Sequence, residues 1–308
     1  MKILVSGGAG FIASHVSEAL LEAGHEVHIL DDLSGGRREN IPEGAVFHEL
    51  DIRSAEASEC MQAHGFEVFV HHAAQMDVRK SVADPRFDAT VNVLGLLNLM
   101  EAGRRAGLKK VVFASTGGAI YGEPEYAPQD ENHVTRPLSP YGVTKLCTER
   151  YLDYYRNQYG ISFVALRYGN VYGPRQNPHG EAGVVAIFAQ RMLRGEQPVI
   201  FGDGLQTRDY VYVRDVVRAN LSALAYHGSG TFNIGTAVET SVNDLFDILR
   251  DRIAPDMERR HEAGRPGEQR RSVLAFDLAR RELGWVPGTD IAQGLEETVE
   301  WFIKNFND

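Results

Sequence analysis

The 308-residue sequence predicts an α/β fold, in which a doubly wound parallel sheet is followed by a smaller C-terminal α/β substrate domain. Two observations predict it. Short apolar runs alternate with amphipathic helical patterns through the first half, as repeated strand–helix units require. The first apolar run also ends in a glycine-rich turn that opens a helical pattern. We assign residues 1–170 to the first domain and 171–308 to the second, and leave open whether the chain re-enters the first domain after residue 205.

The predicted strands are short apolar runs, which are typical of buried parallel strands. They lie at residues 3–5, 27–30, 46–50, 68–70, 111–114 and 163–167. The predicted helices of the first half have apolar residues at helical spacing and lie at 12–23, 55–63, 89–106 and 141–158. Residues 169–183 are rich in Gly, Pro and Asn and predict a long loop. Further helices are predicted at 184–193, 213–226, 242–253 and 295–306.

The composition, with 43% hydrophobic and 24% charged residues, is ordinary for a globular protein. A net charge of −10 argues against a nucleic-acid partner, which needs a basic face. No apolar run is long enough to cross a membrane, and the first strand begins at Lys2, so we expect a cytoplasmic protein without a signal peptide. Cys60 and Cys147 lack partners at metal-binding spacing, so we expect reduced thiols and no metal site.

Residues 8–13, GAGFIA, follow the first strand and open the first helix. Glycine permits the tight turn and lets backbone N–H groups approach a pyrophosphate at a helix N-terminus. About twenty residues on, the second strand ends in Asp31, where a carboxylate binds ribose hydroxyls. The constellation predicts a dinucleotide site of the Rossmann type. Asp31 favours NAD over NADP because it would repel a 2′-phosphate, whereas Arg37 and Arg38 are interpreted as a solvated surface pair.

Tyr141 and Lys145 are four residues apart on a predicted helix, which places both side chains on one face. A nearby ammonium favours the phenolate and lowers the pKa of the phenol, so Tyr141 is predicted to act as a general base near neutrality. Ser139 and Pro140 are a suitable N-cap and first-turn residue for this helix. The pair therefore predicts proton-transfer chemistry beside the dinucleotide.

Together with residues 114–122, ASTGGAIYG, and 166–170, LRYGN, these motifs resemble the extended short-chain dehydrogenase/reductase family. Within it the chain is most similar, over essentially its whole length, to nucleotide-sugar 4-epimerases of the UDP-glucose 4-epimerase type. The resemblance implies a UDP-hexose 4-epimerase that interconverts UDP-galactose and UDP-glucose with retained NAD. A tyrosine removes the proton of the sugar 4-hydroxyl while hydride passes from C4 to NAD⁺. The 4-keto sugar then rotates and takes the hydride back on its other face.

The resemblance also implies the residues of the site. Cofactor contacts are implied for Gly7, Gly10, Phe11, Ile12, Asp31, Asp51, Ile52, Ala73, Ala74, Gln75, Asn92, Tyr141, Lys145 and Tyr168. Substrate contacts are implied for Asn170, Phe201, Arg208, Tyr210, Arg265 and Ser272. Ser272 occupies the position of a gatekeeper over the hexose, and a small residue there implies that N-acetylated sugars fit. Homodimers of the family form through a four-helix interface, which here would include residues 89–106 and 141–158.

The segment before Tyr121 distinguishes the reactions of the family. Dehydratases carry Thr-Asp-Glu where this chain has Gly117, Gly118 and Ala119, so the acids that an elimination needs are missing and 4-epimerisation remains. Epimerases place a Ser or Thr at the position of Gly117 to hydrogen-bond the sugar 4-oxygen. Thr116 is the first candidate to replace that hydroxyl and Ser115 the second; a water molecule, or the tyrosine alone, is also left open.

Three other functions stay open. A UDP-glucuronate 4-epimerase would need a cation near the sugar carboxylate, and another nucleotide-sugar-modifying enzyme of the family would use the same tyrosine and lysine. A non-catalytic NAD-binding sensor is the alternative from another class. Such sensors typically lose the tyrosine and lysine, so their retention here favours an enzyme, and galactose metabolism is the expected setting.

Overall fold

Short strands and amphipathic helices alternate along the chain, as the sequence predicts. The structure, a computed structural model, describes residues 1–178, 183–264 and 269–305. Its strands are β1 (Lys2–Ser6), β2 (Glu26–Asp31), β3 (Val46–Glu49), β4 (Val68–His71), β5 (Lys110–Thr116), β6 (Ser162–Tyr168), β7 (Asn170–Tyr172), β8 (Val199–Phe201), β9 (Thr207–Arg208), β10 (Tyr210–Tyr212), β11 (Gly230–Ile234), β12 (Thr240–Ser241) and β13 (Arg260–Glu262). Its α-helices are α1 (Phe11–Glu22), α2 (Ala55–His64), α3 (Val78–Ala83), α4 (Pro85–Ala89), α5 (Gly95–Arg105), α6 (Gly117–Ile120), α7 (Pro140–Tyr159), α8 (Val184–Leu193), α9 (Val213–Ala225), α10 (Val242–Ile253), α11 (Asp277–Leu283) and α12 (Ile291–Lys304).

Seven strands form one parallel sheet in the order β11-β6-β5-β4-β1-β2-β3. This confirms the predicted doubly wound α/β fold. The direction of winding reverses at β1, which pairs with β2 on one side and β4 on the other. Ligands of such sheets bind outside the carboxyl ends of the strands at this reversal. The glycine-rich turn follows β1 directly, so it lies at the predicted place.

Alternate residues of each strand face opposite sides of the sheet, and each side has its own apolar core. In β1, Ile3 and Val5 pack on the side covered by α1 and α9, and Leu4 packs on the side covered by α2, α5 and α7. These cores hold the helices against the sheet because burying apolar surface contributes about 25 cal/mol per Å². The strand ends are thereby held in fixed relative positions.

A third apolar core joins α8, α10 and α12 to β7 and β10. The small strands form three separate pairs, β7 with β10, β8 with β13 and β9 with β12. Between these pairs the chain returns to the large sheet: α9 packs beside α1, and β11 extends the sheet next to β6.

The predicted helix at 89–106 starts at the last residue of α4 and continues as a π-helical turn and α5. Asp84 caps α4, its carboxylate accepting a hydrogen bond from Phe87 N at 2.9 Å. A π-helical turn follows at Thr90–Leu94, and α5 begins at Gly95. Apolar periodicity cannot distinguish such a turn from an α-helix, and π-turns are frequent at functional sites. The short helices α3, α6 and α11 are likewise absent from the sequence prediction.

Candidate active site

The glycine turn after β1 lies at the reversal of the sheet, where sheets of this kind leave a crevice outside the carboxyl ends of their strands. Gly7 has φ +72°, and its N–H donates to Leu30 O at 2.9 Å. A Cβ at Gly7 would lie 2.6 Å from Ala73 N, so only glycine permits the close approach of the segments after β1 and β4. Gly10 N bonds Gly7 O at 2.9 Å, and α1 starts with no acidic residue in its first turn. This arrangement suits a pyrophosphate.

Asp31 ends β2 beside the glycine turn. Its two carboxylate oxygens accept hydrogen bonds from Ala9 N at 3.0 Å and Leu33 N at 2.9 Å. Burial raises the pKa of this carboxyl, and the two amide hydrogen bonds oppose that shift. The carboxylate therefore fixes the shape of the turn, while its contact with a ribose stays a prediction.

Asp51 and Ile52 follow β3. The carboxylate of Asp51 accepts from Arg53 Nε at 2.9 Å, and this guanidinium lowers the pKa of Asp51. Ile52 is buried in the core, where a Cβ on Gly95 would come within 2.6 Å of its Cδ1. The side chain of Ile52 is thus committed to packing, and its carbonyl accepts a hydrogen bond from Asn98 Nδ2 at 2.9 Å, so its contact with a cofactor stays a prediction.

The segment 73–75 follows β4 and is fixed by Asn92 in the π-turn. Ala73 N donates to Ser6 O at 3.1 Å. Gln75 N donates to Asn92 Oδ1 at 2.8 Å, and Asn92 Nδ2 donates back to Gln75 O at 2.9 Å. The side-chain amide of Asn92 thereby makes the two backbone hydrogen bonds that a neighbouring strand would make with Gln75. Ala74 lies between Ala73 and Gln75, which are both fixed by hydrogen bonds.

Asp88 completes this network and was missed by the sequence analysis. It is fully buried; Oδ1 accepts from Gln75 Nε2 at 2.9 Å and Asn92 Nδ2 at 3.1 Å, and Oδ2 accepts from Thr144 Oγ1 at 2.8 Å. An acidic residue in an amphipathic helix normally faces solvent. The one signal in the sequence was its helical spacing of four from Asn92.

Tyr141 and Lys145 lie together in the first two turns of α7. Ser139 caps the helix, accepting from Gly142 N at 3.2 Å. A Cβ at Gly142 would lie 2.5 Å from Ala119 O, so the start of α7 packs directly on α6. Lys145 is almost completely buried; its Nζ donates to Ala114 O at 2.8 Å and lies 5.8 Å from the centroid of the Tyr141 ring.

The electrostatics of Tyr141 differ from the sequence expectation. Burial, and after it the charge of Asp88, raise the pKa of Tyr141. Burial lowers the pKa of Lys145 to about 8, and Asp88 and Glu149 oppose this shift. The expected lowering of the phenol pKa by the lysine is absent because the ring is desolvated and the ammonium is bonded to a backbone carbonyl. A further positive charge beside the ring is needed to favour the phenolate.

The two candidate hydroxyls have different surroundings. Ser115 Oγ is buried and donates to Glu149 Oε1 at 2.6 Å, within the ion pair of Glu149 with Arg167. Thr116 ends β5, and a Cβ on Gly118 would lie 3.9 Å from Thr116 Oγ1 and 3.8 Å from Asn170 Oδ1. The hydroxyl of Thr116 and the amide of Asn170 thus border one space. These placements favour Thr116 and count against Ser115, whose hydroxyl is held by a carboxylate.

The packing around Gly117 explains why no hydroxyl occurs there. A Cβ at Gly117 would come within 2.7 Å of both side-chain methyl groups of Leu274, which is fully buried. Leu274 is fixed in turn by its N–H, which donates to Asp209 Oδ2 at 3.1 Å. The leucine fills the volume that a Ser or Thr at residue 117 would need.

Four of the predicted substrate residues, Asn170, Phe201, Arg208 and Tyr210, lie on the small strands. Asn170 starts β7 and is paired with Tyr210 at the start of β10. Arg208, in β9, donates to Thr207 O at 2.8 Å, and no carboxylate of the described residues forms an ion pair with it. By contrast, Arg270 is paired with Asp203 and Arg271 with Glu239. Arg208 is therefore the better placed of these cations for an external anion.

The structure also describes the surroundings of Tyr168, Phe201 and Ser272. Tyr168 ends β6 and accepts a hydrogen bond from Asn220 Nδ2 at 2.9 Å; burial raises its pKa. Phe201 ends β8 and is half-buried. Ser272 is buried in the segment that leads to Leu274. Arg265 lies outside the described residues.

Known proteins provide a comparison for this arrangement. The sequence model of the NAD dependent epimerase/dehydratase family matches residues 3–235. A UDP-glucose 4-epimerase of Mycolicibacterium smegmatis is 46% identical over 308 residues, which cover 98% of each chain. The crystal structure of a UDP-glucose 4-epimerase from Thermotoga maritima with UDP-glucose is 48% identical, covers 100% of each chain and has a TM-score of 0.97. A Thermus thermophilus UDP-glucose 4-epimerase in complex with NAD is 45% identical, with a TM-score of 0.93 over 98% of this chain and 99% of that one. No helix among the described residues combines the length and apolar character of a membrane span.

Proposed function

The chain belongs to the NAD-dependent epimerase/dehydratase family, and from this premise we propose that it interconverts UDP-glucose and UDP-galactose. The sugar is oxidised transiently at C4, and NAD is retained through the cycle. The names of its relatives support the identity of the substrate, and the residues on the helix α7 support the type of reaction.

The observation that carries the reaction is the surroundings of Tyr141. The phenol stands at the start of α7, against α6, whose residues Gly117, Gly118 and Ala119 contain no acid or base. An elimination or decarboxylation needs a second proton-transfer group at this point. The site offers a phenol, an ammonium and the hydroxyl of Thr116, which suffice for removing and returning one proton.

The residues around the crevice fit NAD. Gly7 lets the segments after β1 and β4 approach closely, α1 presents its N-terminus, and Asp31 lies beside the glycine turn. Bound NAD⁺ supplies the acceptor for the C4 hydride and the positive charge of its nicotinamide ring. We assign the glycine turn to the pyrophosphate, Asp31 to the adenosine ribose, and Lys145 to the nicotinamide ribose.

The protein's own part is the transfer of one proton and the orientation of the sugar. Tyr141 takes the proton of the 4-hydroxyl through its phenolic oxygen and returns it after the keto sugar has rotated. Lys145, with a pKa lowered to about 8 by burial, adds positive charge near the phenolate. Thr116 holds the 4-oxygen by a hydrogen bond, as its shared space with Asn170 supports.

Arginine side chains and the size of one residue near the sugar determine which substrate binds. We assign Arg208 and Arg265 to the diphosphate because guanidinium groups bind phosphate oxygens bidentately. Phe201 and Tyr210 are assigned to the uridine. Ser272 is small, so we propose that N-acetylated UDP-hexoses also fit, and we expect Ser272→Tyr to abolish their turnover while that of UDP-galactose persists.

We further propose a homodimer formed through α5 and α7. Exposed apolar and aromatic side chains support this interface: Leu94 in the π-turn that leads into α5, and Val143, Tyr151, Tyr154 and Tyr159 on α7. The reaction would place the protein in galactose metabolism, in the cytoplasm.

Proton NMR of the purified protein with single UDP-sugars and no added cofactor tests the proposal. We expect UDP-galactose to give a mixture with UDP-glucose, and Tyr141→Phe to reduce the rate by about 10²–10⁴-fold through loss of the base. Tyr226→Phe is the matched control because this tyrosine follows α9 at the opposite end of the sheet, where its carbonyl accepts from Lys110.

Each alternative has its own outcome. Turnover of UDP-glucuronate but not UDP-galactose would assign the other epimerase reaction. A decarboxylated or dehydrated product would contradict epimerisation. Tight NAD binding without turnover of any sugar would favour a sensor, and a fully active Tyr141→Phe variant would refute the proposed base.

A further inference from the structure

Three histidines meet on the side of the sheet covered by α2. His28 lies in β2, His48 in β3 and His64 in the last turn of α2, and their nearest ring nitrogens all lie within 4.8 Å of one another. His28 precedes Asp31 by three residues, which corresponds to about 10 Å along a strand. This cluster, called the histidine cluster below, is therefore separate from the proposed active site.

One ring of the cluster has its tautomer set by a carboxylate. His28 Nε2 lies 3.0 Å from Glu26 Oε1, so this nitrogen carries the proton and donates it to the carboxylate. The other nitrogen, Nδ1, then presents a lone pair, and His48 Nε2 lies 2.8 Å from it. A carboxylate that orients a histidine through its outer nitrogen is the usual support of a metal-binding imidazole.

The third ring completes a partly enclosed site. The centroid of His64 lies 4.8 Å from that of His28 and 5.1 Å from that of His48. The structure gives the His64 ring no hydrogen-bond partner among the described residues, so its nitrogens are available. Phe66 walls the cluster, 5.0 Å from His28 and 5.6 Å from His64 between ring centroids.

We propose that the histidine cluster binds a Zn²⁺ ion, with one imidazole nitrogen from each of the three histidines and a water molecule as the fourth ligand. Zinc prefers imidazole nitrogens at about 2.0–2.1 Å in tetrahedral geometry, which separates neighbouring donors by about 3.4 Å. Binding therefore requires the two nitrogens of His28 and His48 to move apart by about half an ångström. The hydrogen bond between them is then broken, and its proton is released when the ion binds. The expectation of no metal site rested on the spacing of the two cysteines, and it did not consider these three histidines, which are far apart along the chain.

Metal titration of the full-length protein after chelator treatment tests this proposal. We use Co²⁺, whose tetrahedral complexes absorb visible light, and Zn²⁺ in competition with a chromophoric chelator. We expect one equivalent of Co²⁺ to bind with a tetrahedral spectrum and to be displaced by Zn²⁺. His48→Gln and His64→Gln, at half-buried positions, should each weaken Zn²⁺ binding by more than 10-fold.

Two further variants separate ligation from general effects. His227→Gln removes an exposed histidine outside the cluster and should leave binding unchanged. Glu26→Gln keeps all three ligands and should weaken binding by about 10–100-fold through loss of the orienting carboxylate. Circular dichroism and thermal melting establish that each variant is folded. Absence of a tetrahedral Co²⁺ spectrum, or zinc affinity unchanged in both His48→Gln and His64→Gln, would overturn the proposal.

Discussion

Gly117 shows how one residue reflects both the packing and the chemistry of the site. The family resemblance implies a hydroxyl side chain at this position, whereas Leu274 fills the corresponding volume here. The sequence alone indicated that the hydroxyl is missing but could not give the reason, because Gly117 and Leu274 are 157 positions apart in the chain. Their packing makes the glycine a structural requirement of this site.

Gly117→Ser tests that packing. We expect it to lower the free energy of unfolding by about 1–3 kcal/mol, as overpacking of a core does. Gly118→Ser is the matched control, since a Cβ there meets no atom closer than 3.8 Å, and we expect a change within about 0.5 kcal/mol. Urea denaturation measures both.

The double variant Gly117→Ser, Leu274→Ala distinguishes a clash from a loss of glycine flexibility. If the clash is the cause, the double variant loses less stability than the sum of its single variants. Strict additivity would contradict this explanation of the missing hydroxyl.

Sequence reasoning at the residue scale succeeded where a motif is local. The pair Tyr141 and Lys145 is set by helical spacing, and Gly7 and Asp31 by the ends of adjacent strands, so all four lie where they were predicted. Asp88 could not be found this way because its burial depends on contacts with three separate segments. The effect of burial on the pKa of Tyr141 could not be predicted for the same reason, since burial of its ring is a property of the assembled site.

At the scale of elements, α7 is joined to the sheet by a buried ion pair. Arg167 of β6 donates to Glu149 of α7 through Nε at 3.0 Å and Nη2 at 2.7 Å. Ser115 of β5 donates to the same carboxylate at 2.6 Å, and Arg167 also donates to the Tyr121 hydroxyl at 2.8 Å. These contacts hold the helix that carries Tyr141 against two strands.

Glu149→Gln should therefore be costly. Removing one charge leaves the buried guanidinium of Arg167 uncompensated, and we expect a loss of about 3–5 kcal/mol in the free energy of unfolding. Glu125→Gln is the matched control, because its pair with Arg136 is exposed and should contribute less than about 1 kcal/mol. Equal effects in urea denaturation would contradict the role of the buried pair.

The order of the large strands and helices could be predicted because their apolar periodicity is strong. The π-turn at 90–94 could not, because it changes the hydrogen bonding without changing the apolar pattern. The short helix α6 was missed because two glycines begin it, and glycine normally disfavours a helix. Both deviations contact α7, the helix that carries Tyr141: the π-turn through Asn92 and Thr144, and α6 through Ala119 and Gly142.

At the scale of the whole molecule, the outer surface of α7 exposes large apolar side chains, which supports burial of this surface against a second copy of the chain. Val143 and Tyr154 are both about half exposed and lie at nearly the same angle around the helix, three turns apart. We expect light scattering to give about twice the mass of one chain. Val143→Glu should shift the protein to the monomer because it places a charge in the interface.

Val286→Glu is the control for this prediction. Val286 is similarly exposed but lies between α11 and α12, away from the proposed interface. A monomeric wild-type protein would refute the proposed dimer, and so would a dimer that persists unchanged in Val143→Glu.

The proposed reaction needs both the dinucleotide site and the substrate residues. NAD stays bound, and the sugar gives up its C4 hydride and receives the same hydride back. The most direct test follows UDP-galactose carrying deuterium at C4, incubated with the purified protein in ordinary water without added cofactor. We predict UDP-glucose that keeps deuterium at C4, because the hydride returns within one closed site. Product with protium at C4, or turnover only when NAD is added continuously, would contradict it.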